Sequence, residues 1–163
     1  MSVTNVVLAG LGGQGVIKAS DILADAALRA GLDVKKSELH GMSQRGGSVT
    51  SDVRFGERVL SPMVPRGEAD YLVVLADSEV EVTRPLLRPG GVLLAPDLIA
   101  DADLPNKRSL NVALLGALSR YLDLPPEAML DAMRAALPER LHAVNERAFE
   151  MGRKVAAADG TIP

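Results

Sequence analysis

Apolar runs and helically spaced apolar positions alternate along the first 95 residues. Residues 3–9 form a short apolar run with β-branched residues, and residues 70–76 form a near-continuous apolar run that is typical of a strand covered on both faces of a sheet. Between them, residues 14–30 carry apolar side chains at helical spacing and are followed by Gly31, a residue suited to the end of a helix. This alternation predicts an α/β fold with a mostly parallel sheet.

Polar strands and a helical tail complete the predicted fold. Residues 33–39 and 48–55 have strand patterns, and a hairpin turn at 55–58 is expected to lead into a strand at 59–60, which would make the sheet mixed. We therefore expect one Rossmann-like domain over residues 1–163, with a mostly parallel but mixed sheet, flanking helices and a helical C-terminal tail. Further predicted elements are a short helix at 79–87, a turn at 88–91, a strand at 92–95, and helices at 109–122, 126–137 and from 138 to about 158.

Composition narrows the chemistry that the chain itself can perform. It has no cysteine to hold an iron–sulfur cluster, and its two histidines are too few for a histidine-rich metal site. A net charge of −3 and an aromatic content of 2% argue against a nucleic-acid partner. No apolar run is long enough to span a bilayer and no basic segment precedes the first one, so we expect no membrane partner and a cytoplasmic location. We expect no metal or redox cofactor in this chain.

A glycine-rich turn at residues 10–15 has the pattern Gly-x-Gly-x-x-Gly. It follows a predicted strand and opens a predicted helix, whose free N–H groups favour an anion. A dinucleotide site of this kind also needs an acidic residue about 20 positions later, and Glu38 is the only candidate. The alternative is that the glycines only let the helix pack close to the strand. The residues that this motif predicts for anion or cofactor contact are Gly10, Gly12, Gly13, Gln14 and Gly15.

A second polar, glycine-rich motif spans residues 37–48. Gln44 and Arg45 precede Gly46 and Gly47, and an arginine there can grip a phosphate, a carboxylate or a partner surface through paired hydrogen bonds. The alternative is an ordinary strand connection in which Arg45 pairs with a nearby acid. The motif also contains His40, but no Ser/His/Asp combination can be assembled from the spacing. We therefore predict no catalytic residue.

Taken together, these motifs resemble the gamma-type domain of the 2-oxoacid:ferredoxin oxidoreductases. The resemblance rests on the turn Gly-Leu-Gly-Gly-Gln-Gly, on residues 38–49 (Glu-Leu-His-Gly-Met-Ser-Gln-Arg-Gly-Gly-Ser-Val), on Ser61-Pro62 and on Ala69-Asp70. The His-Gly-Met-Ser-Gln-Arg-Gly-Gly form is most similar to the indolepyruvate branch. The likeness runs from about residue 3 to residue 95, and Asn111 and Asn145 are weaker matches in the helical tail.

The resemblance implies a division of labour between subunits. In this family a larger alpha subunit binds thiamine diphosphate, Mg²⁺ and 4Fe-4S clusters, decarboxylates the 2-oxoacid, reduces ferredoxin and forms an acyl-coenzyme A. The gamma-type domain packs against this catalytic core, and in some members it is thought to help receive coenzyme A. The resemblance therefore implies an accessory subunit that is inactive alone and that meets ferredoxin and coenzyme A through the complex.

Two other functions stay open from the residues alone. One is a stand-alone dinucleotide-binding module for NAD or FAD, and the other is an interaction protein whose glycine loops bind nothing. For a subunit, we expect the partner surface to comprise the 37–48 loop and the helices at 109–122 and 126–137, because a single sheet would leave part of their wide apolar faces uncovered.

Overall fold

A five-stranded sheet forms the centre of the computed structural model, which describes residues 2–40, 47–99 and 104–158. The strands are β1 (Val3–Leu11), β2 (Asp33–His40), β3 (Ser48–Gly56), β4 (Ala69–Val74) and β5 (Leu87–Leu94). Their order is β2-β3-β1-β4-β5. β3 runs antiparallel to β1 and to β2, whereas β4 pairs parallel with β1 and with β5. Four strands therefore point one way and β3 the other, so the predicted mixed α/β sheet is confirmed.

The helices occupy the regions that the sequence predicts, with ends that differ by a few residues. Short 3₁₀ turns flank α2 and precede α3 and α5. None of the helices within the described ranges combines the length and the apolar character needed to cross a bilayer. Their bounds are α1 (Val16–Arg29), α2 (Val80–Thr83), α3 (Leu110–Ser119), α4 (Pro126–Ala136) and α5 (His142–Ala158).

The two faces of the sheet are covered unequally. On the helix-covered face, α1 and α3 pack on the strands, α4 packs on α1, and α5 packs on α3. Alternate residues of β1 point to opposite sides, so Val6 and Leu8 enter this large core while Val7 and Ala9 enter a second, smaller one. On that second, loop-covered face, the cover consists of the segment around Val64 and of the turns that include α2.

Helix α3 is enclosed on every side. All its residues from Asn111 to Ser119 are buried, because the sheet lies on one side and α5 crosses the other with backbone in contact. A Cβ added at Gly116 would lie 2.9 Å from the carbonyl carbon of Phe149 on α5. Most apolar residues of α4 are also covered within the chain, by α1, although Leu130 is half-buried and Ala135 is exposed. The expectation that α3 and α4 leave wide apolar faces for a partner is therefore wrong.

The predicted hairpin turn at residues 55–58 is wrong. Residues 59 and 60 form no strand, and the hairpin is instead made by β2 and β3. Gly56 ends β3 and pairs with both Val3 and Asp33. A Cβ at Gly56 would lie 2.9 Å from the backbone oxygen of Ser2. The position therefore requires glycine because two chain segments lie too close together for a side chain.

The turn predicted at residues 88–91 lies inside strand β5. β5 begins at Leu87, which pairs with Ala69, and the next regular pair is Val92 with Tyr71. The intervening residues form a bulge in which Gly90 has a φ of 79°. An edge strand tolerates both the bulge and a proline, because its outer N–H groups need no ladder partner.

Candidate functional site

The glycine loop lies where the connections from two neighbouring strands leave toward opposite faces of the sheet. From β1 the chain crosses through α1 on the helix-covered face, whereas from β4 it crosses through α2 on the loop-covered face. β1 and β4 are parallel neighbours, so a crevice opens beyond their carboxyl ends. In open α/β sheets this switch point is the usual place for a ligand. The candidate site is therefore the loop of residues 11–15, which follows β1.

Backbone conformation leaves several N–H groups of this loop without an acceptor. Gly13 and Gly15 have φ values of 88° and 83°, which only glycine adopts without strain. Gly15 precedes α1 and no side chain caps the helix there. Among the described residues, no acceptor is found for the N–H groups of Gly13, Gly15 or Val16. Together with the partial positive charge of the helix N-terminus, these donors provide the groups that an anion-binding surface requires.

Gln14 holds the loop in place through both ends of its side-chain amide. Its Oε1 accepts from the Leu11 N–H at 2.7 Å, and its Nε2 donates to the Leu75 carbonyl at 3.0 Å. The side chain thus ties the end of β1 to the end of β4. A Cβ at Gly10 would lie 2.8 Å from Gln14 Oε1 and 2.9 Å from Val16, so Gly10 makes room for this contact. The protein itself uses both polar atoms of Gln14.

Asn111 brings the start of α3 to the same loop. Its Nδ2 donates to the Gly15 carbonyl at 3.3 Å, and the side chain is buried. A Cβ on Gly15 would lie 2.5 Å from that nitrogen, so this position needs glycine for space as well as for φ. The N-termini of α1 and α3 consequently meet at one point. The sequence motifs alone did not bring Asn111 into the site.

Three cations surround the loop. Lys18, Lys107 and Arg108 are exposed and line a cavity of about 510 Å³ together with Gly13, Gly15 and Asn111. Lys18 also lines a second cavity, of about 410 Å³, on the side of Val49. The Lys18 Nζ donates a hydrogen bond to the Ala136 carbonyl at 3.3 Å. Within the described ranges, Lys107 and Arg108 form no ion pair. The signal that sequence analysis missed is the adjacent basic pair directly before an apolar helix.

The second motif meets the first at this edge of the sheet. The Gly12 N–H donates to the Gly47 carbonyl at 3.0 Å, and His40 lines the second cavity. Ser48 follows, and its hydroxyl bonds to the carboxylate of the buried Glu79. The structure therefore brings together Gly10, Gly12, Gly13, Gln14, Gly15 and Gly47 of the predicted site. Gln44, Arg45 and Gly46 lie outside the described residues.

The position of Glu38 differs from that of the acid in a dinucleotide site. Because β3 lies between β1 and β2, Glu38 is two strands away from the glycine loop, on the order of 10 Å in strand spacing. Its carboxylate pairs with Lys36, which also pairs with Asp21 at 2.8 Å. Burial lowers the pKa of Lys36, but its bonds to these two carboxylates outweigh burial and raise the pKa overall. Glu38 is thus already paired with Lys36, and it is poorly placed to bind the ribose of a nucleotide at the glycine loop.

No grouping of three or more His, Cys, Asp or Glu side chains with the geometry of a metal site occurs within residues 2–40, 47–99 and 104–158. The chemistry that the loop offers is electrostatic: backbone donors, a helix dipole and cations directed at a common space. These are the groups that bind phosphate or carboxylate.

Comparison with known proteins decides the family. The sequence matches pyruvate ferredoxin/flavodoxin oxidoreductase over residues 5–105 and 95–155. The chain belongs to this family. Its relatives include the indolepyruvate oxidoreductase subunit IorB of Thermococcus kodakarensis, which is 37% identical over 93% of this chain and 95% of that protein. The IorB subunit of Pyrococcus horikoshii is 34% identical over the same shares.

Solved structures of this family have the same fold as this chain. The gamma subunit of a keto/oxoacid ferredoxin oxidoreductase from Geobacter sulfurreducens superimposes with a TM-score of 0.82 and 26% identity, over 97% of this chain and 98% of that one. A 2-oxoglutarate:ferredoxin oxidoreductase chain from Magnetococcus marinus has the same fold, with a TM-score of 0.83 and 22% identity, over 97% of this chain but only 32% of that one. The predicted membership of the 2-oxoacid:ferredoxin oxidoreductases is confirmed, and nothing in these relatives supports a stand-alone NAD or FAD module.

Proposed function

We propose that this chain is the small, cofactor-free subunit of a 2-oxoacid:ferredoxin oxidoreductase of the indolepyruvate type. The observation that carries this is the 37% identity to an indolepyruvate oxidoreductase subunit over nearly the full length of both chains. In the assembled enzyme the larger alpha subunit holds thiamine diphosphate, Mg²⁺ and the 4Fe-4S clusters. It oxidises the 2-oxoacid, passes electrons to ferredoxin and forms the acyl-coenzyme A.

The chain's own composition supports this division. Stabilising the carbanion that follows decarboxylation requires an electron sink such as thiamine, which protein side chains do not provide. The chain has no cysteine to ligate a cluster that would carry the electrons onward. Both tasks therefore fall to the partner, and the small subunit serves assembly and ligand positioning.

Reconstitution tests this assignment. The chain and the larger subunit, expressed separately and together, are assayed for reduction of ferredoxin or a viologen dye with indolepyruvate and coenzyme A. We expect turnover only when both chains are present, and co-purification of the two. Turnover by the small chain alone, or full turnover by the larger subunit without it, would show that the assignment is wrong.

We propose further that the loop of residues 11–15 receives the phosphates of coenzyme A. The support is local: the N–H groups of Gly13 and Gly15, for which the described residues offer no acceptor, and the cations Lys18, Lys107 and Arg108 on the adjoining cavity of about 510 Å³. A phosphate there would gain charge-assisted hydrogen bonds from both sources. The thiamine chemistry lies elsewhere, so the loop acts only on the step that consumes coenzyme A.

Removing one cation from the site distinguishes coenzyme A binding from a role in subunit assembly. A charge-assisted contact is worth about 1.5–3 kcal/mol, so Arg108→Ala should raise the KM for coenzyme A about tenfold to a hundredfold. Decarboxylation without coenzyme A and the mass of the complex should not change. The matched control is Arg147→Ala, which removes an exposed cation on α5 near the far end of α3. Equal KM values for the two variants would refute the proposed site.

Arg45 stays a predicted contact of the same site. If it grips coenzyme A, Arg45→Ala weakens coenzyme A affinity about tenfold to a hundredfold and leaves the complex intact. If it braces the subunit interface, the complex dissociates and all activities fall together. Measuring coenzyme A dependence and complex mass on this one variant distinguishes the two roles.

A further inference from the structure

Two large apolar side chains stand exposed on the same part of the loop-covered face. Leu39 on β2 is 72% exposed and Met63 is 63% exposed, and both line a groove of about 480 Å³. The groove floor is formed by Val7, Thr50 and Asp52, from β1 and β3. Large apolar side chains gathered around a concave surface mark interaction sites more often than isolated ones do.

The wall of this groove is held in a fixed position. Asp52 accepts a hydrogen bond from the Val64 N–H at 2.9 Å, which anchors the segment carrying Met63 to β3. Asp33 in the same way accepts from the Val59 N–H at 2.8 Å. The loop between β3 and β4 is thus bonded twice to the sheet, and these bonds fix the shape of the groove. A preformed concavity loses little conformational entropy when a partner enters it.

Helices α3 and α4 are weaker candidates for a partner surface. The apolar residues of α3 are buried within the chain, and most of those on α4 are covered by α1. Within the described residues, the loop-covered face carries only the short helix α2, and its β2–β3 half is open at the groove. Arg66 at the groove rim is exposed and forms no ion pair in the part of the chain that the structure describes.

One comparison bears on the kind of partner. In the Magnetococcus marinus chain this fold makes up 32% of a single longer polypeptide. Under the proposed function, the partner of this chain is the larger subunit. A groove with the apolar side chains of Leu39 and Met63 on its walls and Arg66 exposed at its rim suits a segment with an apolar side chain and a nearby carboxylate.

We propose that the larger subunit docks on this groove, seating an apolar side chain between Leu39 and Met63 and a carboxylate against Arg66. This docking surface lies on the side of the sheet opposite α1 and α4. The inference rests on the proposed function, since it takes the larger oxidoreductase subunit as the partner. It keeps Leu39, which belongs to the 37–48 segment expected to meet the partner, and replaces the helices of the tail with the loop-covered face.

Subunit association measured on charged variants tests the proposal. The larger subunit is titrated against labelled small chain carrying Leu39→Asp, Met63→Asp or Arg66→Glu. We expect each apolar-to-acid change to raise the Kd of the complex about tenfold or more, and the arginine reversal to raise it about threefold to tenfold. The matched control is Leu28→Asp, because Leu28 is 62% exposed but lies on α1, on the opposite side of the sheet. The control should bind like the native chain.

The outcomes separate this inference from the proposed function. If the native chain does not bind the larger subunit at all, the proposed function fails and this inference fails with it. If the native chain binds and folded Leu39→Asp and Met63→Asp chains bind equally well, only the docking surface is wrong. If the native chain is instead a dimer that these two variants make monomeric, the occupant is a second copy and the proposal is overturned. Circular dichroism of each variant confirms that it is folded.

Discussion

Replacing Gly152 with alanine should destabilise the protein, although alanine is the better helix former. Gly152 lies on α5 where that helix crosses α3. An added Cβ would lie 2.7 Å from the carbonyl carbon of Ala113 and 3.0 Å from the Ala117 nitrogen, both backbone atoms of α3. Carbon atoms prefer a separation of about 3.5–4.0 Å, so the overlap with the carbonyl carbon is roughly 1 Å. Backbone cannot rotate aside, so the two helices must move apart.

The expected cost follows from two opposing effects. Overpacking a core costs about 1–3 kcal/mol, and a collision with backbone belongs at the upper end. The higher helix propensity of alanine offsets about 1 kcal/mol of this cost, so the free energy of unfolding should fall by about 2 kcal/mol. For a chain of this size that corresponds to a fall in Tm of about 4–8 °C. Thermal and urea unfolding of the purified chain measure it.

A reversed substitution provides the control. Ala143→Gly, at an exposed position in the first turn of the same helix, changes propensity alone and should cost at most about 1 kcal/mol. If propensity were all that mattered, Gly152→Ala would stabilise by a similar amount. A rise in Tm for Gly152→Ala would therefore refute the backbone contact between α3 and α5.

Three further results are expected. Gln14→Leu removes two hydrogen bonds, so it should lower the free energy of unfolding by about 2 kcal/mol and raise the KM for coenzyme A; an unchanged KM would exclude a positioning role. Burial raises the pKa of Asp52 above its ordinary 3.8, so its contribution to stability is present below that value and is lost as pH rises through the native pKa. Asp52→Asn should abolish this pH dependence in unfolding curves. The chain purified alone should contain no iron or thiamine by metal and cofactor analysis.

Local patterns predicted most elements of the fold but not how β3 is placed. The strand pattern of residues 48–55 was evident, yet its insertion between β1 and β2 depends on pairing with both neighbours over their whole length. Gly56 suggested a turn, because a glycine needed for close approach looks the same in sequence as a glycine needed for φ. The sequence of residues 88–91 predicts a turn for a similar reason, since only the pairing on either side reveals these residues as a bulge within a strand.

The candidate site was predicted in part. Gly12, Gly13 and Gly15 belong to a contiguous motif, so their meeting at one loop follows from local sequence. Lys107 and Asn111 are far away in the chain and reach the loop only because α3 begins at the same edge of the sheet. Gln14 was predicted to contact a ligand, but its side chain bonds to the Leu11 and Leu75 backbone, a role that depends on the distance between two strand ends.

The Gln14 contacts limit how this chain can discriminate among ligands. Under the proposed coenzyme A role, a loop whose backbone is tied to β1 and β4 does not have to close around the phosphate. Backbone N–H groups bind any phosphate alike, so the proposed site would recognise a group that many metabolites share. Selectivity for coenzyme A over other phosphate-bearing molecules would then come from contacts to the remainder of the ligand. Swapping the small subunit between enzymes that use different 2-oxoacids should leave the choice of oxoacid unchanged.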